Sequence, residues 1–275
     1  MARSGTKNRS SKQATKIGRV NWIEREKEMS SIDRNLAGYL PLATRALPWL
    51  AGVTALAFAV GLVQAFNAPD DFQQGATVLL MFLHVPAAWL ITLIWVVMSI
   101  AAIVTLVWRH PLADVAAKTA APIGAAFTFL CLVTGSLWER PMLGTYWVWD
   151  ARQTSVLVLF LMYLGLLALY WTEEHLARVA KLAAILILAG ATVLPIIRFS
   201  VVWWNTLHQS AALGRFGAPA IHSSILTPLL LMALAFIFLF MTLHVAAMRN
   251  EILRQRVRAL RLLHVARGET VDLGA

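Results

Sequence analysis

Long apolar runs, broken by short polar stretches, set the pattern of this chain. Aliphatic residues dominate about 46–66, 77–108, 120–138, 154–171, 180–198 and 225–248. About 20 apolar residues span the hydrocarbon of a bilayer as helix, so each run predicts one transmembrane helix. The second run is longer than a bilayer needs, which predicts tilt or protrusion. Six spans make an all-α, polytopic integral membrane protein in which helices satisfy every backbone polar group at depth.

The remaining segments are polar. Residues 1–45 form a basic extension. Its first twenty residues read as disordered, and "VNWIEREKEMSSIDRNLAGYL" reads as a helix on the membrane surface. No early apolar core precedes a small-residue cleavage site, so no cleaved signal peptide is expected. Residues 46–248 form the membrane domain, and 249–275 a basic tail. Composition agrees with these divisions: 59% of the 275 residues are hydrophobic and only 14% charged. Mean hydropathy is +0.67. The net charge of +10 fits topology and anionic lipid, and no nucleic acid is expected as a partner.

Charge then orients the spans. Twenty Lys and Arg fall in residues 1–45, the 109–119 and 172–181 connections and the tail. Four (Arg140, Arg152, Arg198 and Arg215) fall on the other side. The positive-inside rule makes both termini cytoplasmic, so the loops near 67–76, 139–153 and 199–224 face outward.

One outer loop has unusual chemistry. "GTYWVWDARQT" sets Tyr146, Trp147, Trp149, Asp150 and Arg152 close together. An interfacial aromatic belt is the plain alternative. The order of the residues favours a binding platform. Trp147 and Trp149 share a face of an extended segment, and Asp150 and Arg152 add an acceptor and a planar donor. Pro141 and Gly144 predict non-helical backbone before them.

Topology also sorts the seven His. His110, His175, His244 and His264 fall on the cytoplasmic side, leaving His84, His208 and His222 outside or near it. His84 lies about seven residues into the second span, where an ionisable group marks a functional site unless it simply bonds a neighbouring helix. Pro86 predicts a loosened helix near Phe82. Two imidazoles, Trp faces and Arg forks suit haem: nitrogen ligands for iron, stacking for the macrocycle, guanidinium for the propionates. Zn would need more ligands than this face offers. The single cysteine, Cys131, excludes an internal disulfide or a CxxC relay, and no C-x-x-C-H attaches haem covalently.

"GSLWERPMLGTYWVWDARQTSVLVL" resembles the tryptophan-rich WWD signature of haem-handling membrane proteins. With "LHVPAAW" and "VVWWNTLHQ" on either side, the chain is similar over about 45–248 to the cytochrome c maturation protein C (CcmC) family of bacterial system I. The resemblance implies a multi-pass protein of the cell inner membrane. It holds haem b non-covalently, in transit, and presents it to the periplasmic haem chaperone CcmE. CcmA and CcmB supply an ABC-type complex, and CcmD joins them. It implies a handling protein rather than an enzyme. His84 and His208 match the axial ligands. Trp138, Gly144, Trp147, Trp149, Asp150 and Arg152 match the WWD segment (138–154), and Tyr146 keeps an aromatic where the family has Trp. Leu143, Gln153 and Ser210 depart from the family pattern. The competing expectation is a permease moving haem or another solute through its helices. That would favour ionisable groups near mid-membrane at broken helices, where the sequence offers only His84, near the outer edge. No Walker A motif is present, so any ATP use belongs to a partner.

Overall fold

The computed structural model describes residues 38–70, 75, 77–171, 176–204 and 221–266. The polar segment through residue 37, including most of the expected surface helix, lies outside the described residues, as do His175, His208, Ser210 and Arg215. The chain divides into two units, 1–42 and 43–275. Of the first, only 38–42 are described, and these include the first residues of helix α1.

The described residues form helices α1 (Tyr39–Phe66), α2 (Val78–Trp108), α3 (Pro111–Leu143), α4 (Ala151–Trp171), α5 (Leu176–Ala191), α6 (Val193–Trp204) and α7 (Ser223–Ala266). Six stretches are long and apolar enough to cross a membrane, with α5 and α6 together making the fifth, Arg178–Trp204. The helices overrun the apolar runs at several ends. The first begins at Tyr39 rather than near residue 46, and the last continues to Ala266, so much of the basic tail is helical. Backbone hydrogen bonding carries a helix past the point where side chains turn polar, and hydropathy does not register that continuation.

The fifth span is broken where Pro195 stands in the first turn of α6. Proline supplies no N–H to the carbonyl four residues earlier, that of Ala191. At the break itself, the Thr192 hydroxyl and N–H both donate to the Ala189 carbonyl, at 2.7 and 3.2 Å. By contrast, α2 runs unbroken through Pro86. Pro141 also stays within α3, correcting the expectation of non-helical backbone there. It lies in the final turn, and its missing N–H removes one helical bond, to the Leu137 carbonyl, without ending the helix. The helix stops at Gly144, whose φ of 76° is left-handed and whose N–H donates to the Arg140 carbonyl at 3.0 Å.

The core centres on α2, which packs against α3, α5 and α7. Trp95 is fully buried, its Nε1 donating to the Ile187 carbonyl at 2.9 Å. Its ring meets Tyr163 of α4 edge-on, with centroids 4.6 Å apart. Glycines make these approaches possible. A Cβ at Gly124 would stand 2.3 Å from the Tyr163 ring, and one at Gly190 2.2 Å from Trp95. Neighbouring spans run antiparallel. His84, near the start of α2, reaches Thr134, near the end of α3, and Lys118, near the start of α3, pairs with Glu251, far along α7, at 2.8 Å. The starts of α2 and α7 and the end of α3 therefore share one end of the membrane domain, and the Lys118–Glu251 pair marks the other.

Candidate functional site at the Trp-rich end

His84 is anchored from α3. Its Nδ1 lies 3.1 Å from the Cys131 carbonyl oxygen and 3.1 Å from the Thr134 hydroxyl. The Thr134 hydroxyl donates its proton to the Leu130 carbonyl at 2.8 Å, so it accepts from His84. Trp138 meets the imidazole edge-on at 5.6 Å between centroids. Gly135 leaves room for the ring: a Cβ there would stand 2.9 Å from His84 Cε1. Cys131, Thr134, Gly135 and Trp138 follow helical spacing and line one face of α3. That face carries the signal that would have found Thr134 and Gly135 in "CLVTGSLW", where the sequence reading singled out only Trp138.

Trp147 and Trp149 do lie side by side, with centroids 5.3 Å apart at 72°. This is edge-to-face packing, so the pair offers one face and one edge instead of a flat shelf. Trp149 is 76% exposed. The Nε1 atoms of Trp138 and Trp147 are buried without a hydrogen-bond partner among the described residues. Indole N–H groups usually find a partner when buried, so both are donors suited to an acceptor-bearing ligand. Tyr146 packs under the Arg140 guanidinium at 5.2 Å.

Asp150 caps α4. Its Oδ1 accepts the Gln153 N–H at 2.7 Å, and its carbonyl accepts the Thr154 N–H at 3.0 Å. Gln153, only 6% exposed, reaches back with Oε1 to the Val148 N–H at 3.4 Å. This resembles a capping box, and it joins the Trp strand to the helix start. Arg152 is half-buried, and the charges acting on it are the Asp150 carboxylate and the Arg198 guanidinium. Arg152, Asp150 and Arg198 thus belong to one charge cluster.

His222 is turned to a structural task. Its carbonyl accepts the Ile225 and Leu226 N–H groups in the first turn of α7, and its Nδ1 accepts the Ser224 N–H at 3.3 Å. Among the described residues, no three His, Cys, Asp or Glu side chains gather as a metal site would require. The site residues named from the sequence all fall within the described residues, except His208.

Comparison with known proteins follows the same lines. The family model "Heme exporter protein C" matches residues 34–263. The protein of that name from Bradyrhizobium diazoefficiens is 62% identical over 87% of this chain and 91% of its own length. The one from Escherichia coli K12 is 44% identical over 77% and 86%. A putative cytochrome c biosynthesis ccmC-like mitochondrial protein of Marchantia polymorpha is 50% identical over 62% and 72%. With six membrane-spanning helices and relatives of this extent, the chain is a multi-pass inner-membrane protein and belongs to the Heme exporter protein C family.

Proposed function

We propose that the protein binds haem b at the outer face of the inner membrane, between His84 and His208, and presents it to the periplasmic chaperone CcmE in a complex with CcmA, CcmB and CcmD. The observation that carries this reading is the setting of His84. Its Nδ1 is held by two oxygens of α3, and its ring meets Trp138 at the end of the domain that bears the Trp loop. The donors suit the cargo. Neutral imidazole ligates haem iron. Trp147 and Trp149 pack against the porphyrin, worth on the order of 1 kcal/mol each beyond area burial. The Arg152 and Arg198 cluster complements the two propionates. Asp150, committed to the α4 cap, shapes the loop without meeting the propionates.

Both termini lie in the cytoplasm in this reading, and the Trp loop lies outside. The test is a haem titration followed by visible absorption, in wild type and in His84→Ala, His208→Ala and His222→Ala. Loss of the Soret band in the first two, with partial return on adding imidazole, is expected. His222→Ala retains haem. A variant set in which His222→Ala strips haem and His208→Ala does not overturns the ligand assignment.

A further inference from the structure

The two oxygens around His84 Nδ1 determine more than where the ring sits. A carbonyl oxygen can only accept a hydrogen bond. The Thr134 hydroxyl has one proton, and the Leu130 carbonyl takes it at 2.8 Å, with the Cys131 carbonyl as a longer alternative at 3.3 Å. Toward His84, Thr134 is therefore an acceptor too. An imidazole nitrogen facing two acceptors at 3.1 Å carries the proton. In a neutral ring the lone pair is then on Nε2, the arrangement found when a ring N–H bonded to a neighbouring oxygen orients a metal-ligating histidine. Steric contacts act with the hydrogen bonds. Gly135 admits Cε1 on one side, and Trp138 bounds the ring at its edge.

We propose that Thr134, acting with the Cys131 carbonyl, is the positioning residue for His84. It holds the imidazole as the Nδ1–H tautomer and fixes the ring's direction, so that Nε2 presents its lone pair to haem iron. The identity of the iron partner rests on the haem-ligation reading above, whereas the tautomer does not. Thr134 is 6% exposed, and valine has nearly its shape without the acceptor. Thr134→Val therefore removes one of the two oxygens with little change in packing, and Thr134→Ser restores it.

The experiment uses full-length protein in lipid nanodiscs with ¹⁵N-labelled histidine. The His84 resonances are identified by their loss in His84→Gln. Haem-free wild type is expected to show a protonated Nδ1 and an unprotonated Nε2. Thr134→Val is expected to add the Nε2–H tautomer and weaken haem binding by on the order of tenfold, the lower end for a lost partner of a metal-ligating histidine. Thr134→Ser should match wild type in both measurements. A wild-type ring protonated on Nε2 overturns the proposal, and this measurement needs no variant to fold. So does a Thr134→Val protein with unchanged tautomer and unchanged affinity. If the tautomer shifts while haem affinity holds, Thr134 still orients the ring, and His84 as iron ligand is what fails.

Discussion

The Asp150 carboxylate is committed to the backbone at the start of α4, which separates its role from that of its Trp neighbours. Replacing an N-cap Asp by Ala costs about 1 kcal/mol, whereas Asn caps as well. Asp150→Ala should therefore lower the thermal midpoint in detergent and loosen the Trp147–Trp149 turn, and Asp150→Asn should leave both near wild type. Equal loss in the two variants would mean that the charge matters, and with it the Arg152–Arg198 cluster. Arg152 itself is tested by Arg152→Lys, which keeps the charge and removes the planar fork. If the guanidinium clamps a propionate, haem affinity should fall by roughly 1–2 kcal/mol, the scale of one charge-assisted hydrogen bond. Titrations of Arg152→Lys and wild type that overlay would leave Arg198 as the propionate partner.

At the scale of elements, two glycines that each admit a ring between helices make a controlled pair, Gly190 being the tighter. Gly135 admits His84 between α3 and α2, and Gly190 admits Trp95 between α5 and α2. An added methyl in either position overpacks a helix contact, typically by 1–3 kcal/mol. Gly135→Ala should disturb the haem spectrum because the atom it meets belongs to the imidazole. Gly190→Ala should lower thermal stability and leave the spectrum unchanged. If the two variants shift the Soret band alike, the His84 pocket is not the haem site. The same elements mark what could be read from the sequence. Hydropathy is a local signal and located six spans, because a helix must be apolar along the length that lipid covers. It missed the break before Pro195 and the continuation through Pro141. Both turn on the backbone at a single proline, which a window of hydropathy does not register. It singled out His84 and the Trp loop because polar and aromatic groups stand out against aliphatic residues. Thr134 and Gly135 are ordinary residues of an apolar helix, and only their distance to His84 gives them a role.

For the whole molecule, the charge asymmetry and the antiparallel packing make one joint prediction. The Lys118–Glu251 pair, with Arg254 at 3.4 Å and Gln255 at 3.2 Å from the same carboxylate, ties α3 to α7 at the end opposite the Trp loop. That end also gathers Arg109, Arg258 and Arg261, the kind of basic excess retained in the cytoplasm. The chain contains one cysteine, Cys131, which is buried in α3, so a Cys131→Ser background leaves a clean canvas for labelling. Single cysteines at Asp70 and Tyr146 should react with a membrane-impermeant maleimide in intact spheroplasts. Those at Arg109 and Arg261 should react only after permeabilisation. The pairing of sites matters more than any one result. Six spans require Asp70 and Tyr146 to behave alike, and the positive-inside rule requires them to be the pair outside. Labelling of Arg261 in intact spheroplasts, with Tyr146 protected, would invert the topology. The Trp loop and His84 would then face the cytoplasm, and delivery of haem to a periplasmic chaperone from this site would be ruled out, whatever the site binds.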